Sequence, residues 1–397
     1  MIYLSAVAMI NALGNTPDEI SQNLQNNRSG LAEETDWLLH NKPTWVGRVK
    51  APLPSVPAEL SQHNSRNNQL LLAALTQIRS QVDAAIAQYG KKRIAVIMGT
   101  STSGIYEGER AVAHQFAHDE LPASYCYQQQ ELGDPALFLA SYLQLDGPAY
   151  TLSTACTSSA RAIISGKRLI EAGIVDVALV GGADSLCRMA LNGFDSLESL
   201  SDQRCTPFAK HRKGINIGEA AALILLTQQP STANAVILAG TGESSDAWHM
   251  SAPHPEGIGA EQAMRMALAQ AKLMPDDVGY VNLHGTATPL NDKMEAKAVH
   301  RVFGNTTPCS STKHLTGHTL GAAGATEAAL CWLILSQNLN LPAQDFSETL
   351  RDDELADIHL VERAHPARTE IMLSNSFAFG GNNTSLLLMK DLEQTAK

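Results

Sequence analysis

The chain has 397 residues, enough for one large domain or two to three ordinary ones around a sizeable core. With 44% hydrophobic and 17% charged residues, its composition is that of a soluble globular protein. A formal net charge of -11 argues against a general binder of nucleic acid or anionic membrane, so any acidic partner needs a local basic patch.

The opening Met1-Ile-Tyr-Leu-Ser-Ala-Val-Ala8 has no basic stretch before its apolar residues and reads as a first strand, not a secretory signal. Arg93–Gly99 reads as a buried strand ending in glycine. From Ser101 to Ala136, His114, His118, Tyr125, Cys126 and Tyr127 follow no clean period. That stretch is expected to be an irregular insertion lining a pocket or a subunit contact. Tyr150–Cys156 is extended and hands over to a helix over Thr157–Ala172 that Gly173 stops. Strands follow at Val175–Gly182 and Leu223–Leu226, then a polar linker, Gln228-Gln-Pro-Ser-Thr-Ala-Asn234.

After the linker the pattern starts again. A strand is expected at Ala235–Gly240, a helix at Glu261–Lys272, a strand at Val278–Leu283 and a helix at Lys293–Phe303. Such alternation implies a layered α/β protein with a largely parallel sheet. It divides into two similar α/β halves, residues 1–230 and 231–397, without a sequence repeat between them. The apolar run Leu330–Leu335 is too short to span a bilayer. The six cysteines are scattered and form no CxxC pair, which suits free thiols in a reducing, cytoplasmic setting and excludes a zinc-finger metal site.

Four constellations carry the chemistry. Cys156, in Ser153-Thr-Ala-Cys156-Thr-Ser-Ser159, precedes a helix, whose unpaired N–H groups and dipole favour a thiolate. Taken alone, a buried inert cysteine is the commoner case. In Asn282-Leu-His284-Gly-Thr286-Ala-Thr288 a strand delivers His284 to its C-terminal end, where ligands collect in open α/β sheets. Thr286 and Thr288 are either donors to an amide-bearing ligand or ordinary turn residues. Asp292 and Glu295 have the spacing of a capping box for the next helix. In Lys313-His-Leu-Thr-Gly-His318-Thr-Leu-Gly-Ala-Ala-Gly324-Ala-Thr-Glu327, a Gly/Ala helix suits close packing, and Lys313 can pair with Glu327 across it. It is not a phosphate loop. Asn375-Ser-Phe-Ala-Phe379-Gly-Gly381 is an aromatic turn whose N–H groups face a ligand oxygen or merely close a β-turn.

In this order, and together with Gly14-Asn-Thr-Pro-Asp-Glu19, Thr206-Pro-Phe208, Gly218-Glu219 and Ser245-Asp-Ala-Trp-His249-Met250, these motifs resemble the β-ketoacyl-acyl-carrier-protein synthases of the KAS I/KAS II type. These are condensing enzymes of the thiolase superfamily, and the resemblance runs over essentially the whole chain. It implies a thiolase-like fold whose two halves form a layered αβαβα architecture. It makes Cys156 the acyl-accepting nucleophile, with His284 and His318 acting on malonyl-carrier protein in a decarboxylative Claisen condensation. Lys313 orders the site through Glu327, and the N–H groups of Cys156 and Phe379 form the oxyanion hole. Thr286 and Thr288 hold the phosphopantetheine arm, Phe379 gates the acyl pocket and Phe194 lines it. No cofactor or metal is expected on the enzyme itself, because acyl carrier protein brings the phosphopantetheine. The implied partners are that carrier and a second subunit, in a homodimer or in a heterodimer with a related ketosynthase-like chain.

Several positions depart from the family pattern. Ser153 replaces an acid, Ala378 replaces a glycine between the two phenylalanines, and Gly218-Glu-Ala-Ala replaces Gly-Glu-Gly. The carrier-docking basic cluster is reduced to Arg66 with His63, while Lys91-Lys-Arg93 is either a second patch or a charged strand flank. These changes suggest a specialised ketosynthase, of polyketide or aryl-polyene type. The alternative is a chain-length-factor-like partner subunit without turnover, from which the retained Cys156, His284 and His318 argue away.

Overall fold

The computed structural model describes residues 1–230 and 235–391, so residues 231–234 of the expected linker lie outside the described residues. Ten strands carry the architecture. In the first half they are β1 (Tyr3–Ile10), β2 (Ile94–Gly99), β3 (Ala149–Leu152), β4 (Val177–Asp184) and β5 (Ala220–Thr227). In the second half they are β6 (Val236–Ser245), β7 (Tyr280–Asn282), β8 (Pro308–Ser310), β9 (Ile371–Phe377) and β10 (Asn382–Lys390). Six helices pack on them: α1 (Arg66–Tyr89), α2 (Asp134–Leu143), α3 (Ser158–Glu171), α4 (Ile258–Ala271), α5 (Pro289–Phe303) and α6 (Ala323–Gln337).

The two halves share one topology. The first runs β3-β2-β4-β5-β1 across its sheet and the second β8-β7-β9-β10-β6, the same order counted from each half's own first strand. They join where β1 meets β6 at Tyr3 and Ile237. In each half the three strands farthest from the join are parallel and the other neighbours antiparallel. A two-residue strand, His359–Leu360, extends the edge beyond β8.

Burial explains why these segments are strands. Ala220-Ala-Ala-Leu-Ile-Leu-Leu-Thr227 is buried at every position, as expected where both faces are covered. One face of both half-sheets packs on α3 and α6, which share a single core containing Ile163, Ile164, Leu330 and Leu333. The other face of the first half packs on α1 and α2, and that of the second on α4 and α5. The result is the α-β-α-β-α layering. Helix α6 is apolar nearly all round, which fits the central layer. Helix α1 is stopped cleanly at both ends, by Ser65 accepting from the Asn68 N–H at 3.2 Å and by Gly90 at φ 82°.

Three expectations need correction. The stretch 101–136 is not irregular, since it holds a 14-residue helix, Ile105–His118, and the start of α2. Asp292 and Glu295 do not cap α5. The helix begins four residues earlier than expected, with Thr288 as N-cap and Pro289 in its first turn, leaving both acids inside it. The strand expected at Val278–Leu283 is only Tyr280–Asn282. No helix among the described residues is long and apolar enough to cross a membrane.

Candidate active site

The chemistry-bearing residues lie just beyond the C-terminal ends of the parallel strands, where both halves meet. Cys156 follows β3 on a tight turn. Ala155 takes φ 50°, a left-handed conformation that costs a non-glycine residue roughly 1–2 kcal/mol. Ser158 holds the turn, its hydroxyl donating to the Ala155 carbonyl at 2.5 Å and accepting from the Thr154 N–H at 2.9 Å. The sulfur is thereby turned into a cavity of about 270 Å³, which His284, His318, Thr286, Thr288, Phe194 and Phe379 also line.

His318 Nε2 lies 3.0 Å from Cys156 Sγ. The rings of His284 and His318 meet edge to face, their centroids 5.3 Å apart. Lys313 is 1% exposed and sits behind them. Its ammonium makes a short ion pair with Glu327, donates to the His284 carbonyl at 2.5 Å and lies 3.5 Å from His284 Nδ1. An ammonium beside Nδ1 leaves that nitrogen as acceptor, so the His284 proton is on Nε2, toward the cavity. Burial, then the Lys313 charge, then His318 hold the His284 pKa well below the usual histidine value. Burial and Lys313 do the same to His318. Both imidazoles are neutral at physiological pH.

At Cys156 burial opposes the expected effect of the helix dipole. Burial pushes its thiol up to about 11, against the opposing pull of Lys313 and of the N–H groups of Phe379 and Cys156. The helix starts only at Ser158, and the thiolate would have little water to stabilise it. The resting pair is therefore a neutral thiol against a neutral imidazole. The same two N–H groups converge beside the sulfur, where an acyl oxyanion would form. The Cys156 sulfur and one nitrogen of each histidine all lie within 4.8 Å of one another, a spacing that would also suit a metal ion. The adjacent Lys313 ammonium opposes a cation there.

Thr286 and Thr288 share a hydroxyl bond at 2.9 Å on the cavity wall. Phe194 packs on Phe379 with ring centroids 5.6 Å apart. Gly380 and Gly381 follow Phe379 at φ 85° and 78°. The site expected from the motifs is thus assembled in one place.

Sequence reasoning missed the supports beneath it. Glu295 accepts from the His284 and Gly285 N–H groups at 2.7 Å each, fixing the turn that carries His284, and burial lifts its pKa to about 7. Asp292 accepts from the Phe208 and Ala287 N–H groups at 2.8 and 3.2 Å, tying Thr206-Pro-Phe208 to the same turn. The Thr288-Pro289 pair was the available signal, because proline in a first helical turn behind a threonine cap moves both acids into the helix.

Both members of the reduced basic cluster have acidic partners. His63 is buried against Asp134 at 2.5 Å, and Arg66 is committed to the buried Glu219 carboxylate. Arg93 pairs with Asp176 and Lys91 bonds Gln144.

Known proteins show which family the chain belongs to. The N-terminal domain of beta-ketoacyl synthase matches residues 2–231 and its C-terminal domain residues 235–347. Nodulation protein E of Rhizobium meliloti is 30% identical, over 90% of this chain and 91% of that protein. 3-Oxoacyl-[acyl-carrier-protein] synthase 2 of Staphylococcus aureus (strain COL) is 31% identical over 82% of each. A chain in the complex of a ketosynthase (ApeO) with its chain length factor (ApeC) from Xenorhabdus doucetiae is 57% identical over 98% of both chains, with a TM-score of 0.95. The chain belongs to the β-ketoacyl synthase family of condensing enzymes, with the thiolase-like fold of its structural relatives.

Proposed function

We propose that this chain is a catalytically competent ketosynthase. It condenses an acyl group on Cys156 with malonyl-acyl carrier protein to give 3-oxoacyl-acyl carrier protein and CO2. The observation that carries this reading is the 3.0 Å contact between Cys156 Sγ and the neutral His318 Nε2.

In the first step the sulfur attacks the thioester carbonyl of an acyl-loaded carrier, and His318 Nε2 takes the thiol proton as the S–C bond forms. The carbonyl oxygen becomes an oxyanion held by the N–H groups of Cys156 and Phe379. The carrier's pantetheine sulfur leaves and takes the proton back. In the second step Thr286 and Thr288 hold the incoming phosphopantetheine arm and the malonyl thioester lies beside the imidazoles. CO2 departs, and the electrons of that C–C bond form an enolate whose oxygen accepts a hydrogen bond from the His284 Nε2–H. The enolate carbon attacks the acyl carbonyl, the tetrahedral oxyanion collapses, and Cys156 leaves as a thiolate that takes up a proton from solvent. Lys313 acts by holding His284 in the donor tautomer, and Glu327 holds Lys313. No step calls for a resident cofactor, since the carrier brings the phosphopantetheine.

The implied partners are acyl carrier protein and a second ketosynthase-like subunit. The similarity to a chain of a ketosynthase–chain length factor complex favours a heterodimer and a specialised polyketide or aryl-polyene role. In a partner subunit without turnover, nothing would require the thiol and imidazole to meet. Incubation with acyl- and malonyl-carrier protein, in the presence of the partner subunit, should yield 3-oxoacyl-carrier protein. No product with any of several carriers would refute the reading.

A further inference from the structure

A buried carboxylate outside the catalytic set spans the join between the halves. Asp184 ends β4 and is 1% exposed. It accepts from the Thr100 hydroxyl at 2.5 Å, from the Ser101 N–H and hydroxyl at 2.9 and 2.7 Å, and from the Thr102 N–H and hydroxyl at 2.9 Å each. All of these donors belong to the loop after β2. One more comes from the other half, the N–H of Gly321, three residues beyond His318.

That bond matters because of how His318 is held. Its N–H donates to the Asn216 carbonyl at 2.7 Å and its carbonyl accepts from the Gly218 N–H at 2.9 Å, which pins one end of the turn. Leu320 then takes φ 52°, and Gly321 meets Asp184 at the other end. A Cβ on Gly321 would lie 2.7 Å from Asp184 Oδ2 and 2.7 Å from the Ser101 nitrogen, so the approach admits no side chain. A histidine is ordinarily aimed by a hydrogen bond on its second nitrogen. His318 Nδ1 is buried and has no partner among the described residues. With no hydrogen bond on Nδ1, the direction of Nε2 depends on the backbone of residues 318–321 and on the packing of the ring against His284.

We propose that Asp184 is the positioning residue for His318: by anchoring Gly321 from the opposite half, it sets the distance between His318 Nε2 and Cys156 Sγ. The kinetic consequence rests on the proton transfer to His318 proposed above, whereas the geometric one does not. Asp184→Asn keeps the shape but places an amide donor among donors, and the backbone N–H groups cannot turn away.

The test is a double-mutant cycle on acyl transfer from S-hexanoyl-N-acetylcysteamine to Cys156, followed by intact mass, with a crystal structure of D184N. D184N should slow acylation about tenfold or more, because small misplacements of reacting groups are costly. In an H318A background the same change should cost less than about twofold, because it acts through the missing ring. The D184N structure should show the Nε2–Sγ contact opened beyond hydrogen-bond reach, about 3.5 Å. Equal losses in both backgrounds, or a folded D184N with unchanged rate and contact, would overturn the proposal. If D184N does not fold, Gly321→Ala, whose Cβ would press on Asp184 Oδ2 and the Ser101 nitrogen and so force the same contact apart, takes its place in the cycle and in the crystal. A wild-type protein that takes no acyl group would sink the ketosynthase reading, and the crystal structure alone would then decide the positioning claim.

Discussion

At Cys156 two effects oppose each other. Lys313 and the backbone N–H groups beside the sulfur favour a thiolate, while removal from water disfavours it, and burial wins with the thiol pushed up to about 11. At neutral pH the thiol form is then favoured. In the proposed mechanism His318 removes the proton during attack, so that no standing thiolate is needed. Since both histidines stay neutral well below pH 6.5, neither contributes a break above that point. In His318→Ala, which has no general base beside the sulfur, alkylation of Cys156 by iodoacetamide, read by peptide mass spectrometry, should therefore keep rising from pH 7 to 10, approaching tenfold per unit. A plateau by pH 8 would mean a thiolate at neutral pH and would restore the helix-dipole explanation. The motif put Cys156 between a strand and a helix, as the structure does, but the direction of its acidity shift depended on burial, which no local spacing encodes.

At the scale of elements, the site depends on how closely α3 and α6 approach. α3 follows Cys156 and α6 follows His318. The Ala325 N–H donates to the Ser159 hydroxyl at 2.9 Å, bonding the first turns of the two helices to each other. A Cβ on Gly324 would lie 2.6 Å from that of Ala160, so any side chain there drives them apart. Gly324→Ala should lower stability by about 1–3 kcal/mol, the usual cost of overpacking, and slow condensation as well. Urea unfolding measures the first and product formation the second. A variant with unchanged stability and rate would show that the contact is looser than described. Legibility followed the same physics. β2, β4 and β5 were readable because apolar runs buried on both faces leave a plain signal. The helix Ile105–His118 buries only Gly108 and Ala111, so it has almost no apolar stripe to read. Glu295 was visible as an acid at a helix start. Its real partners, the N–H groups of His284 and Gly285, depended on where α5 began.

Over the whole molecule, two half-sheets of one topology bring the ends of their parallel strands to a common crevice. Neither half holds the site alone. Cys156 and Asp184 come from the first, and His284, Lys313, His318 and Phe379 from the second. The duplication was legible as a pattern of elements, while its identical strand order was not, because strand order is set by packing between layers. Such an arrangement allows a covalent intermediate to form on one half while chemistry on the second substrate is prepared by the other. The most direct test of this account is intact mass of the chain, with its partner subunit, after acyl-carrier protein and then after malonyl-carrier protein. The wild type should gain one acyl group on Cys156 and lose it on the chase, and His284→Ala should gain the group and keep it. Acylation that persists in Cys156→Ala, or a wild-type adduct that malonyl-carrier protein never discharges, would contradict it.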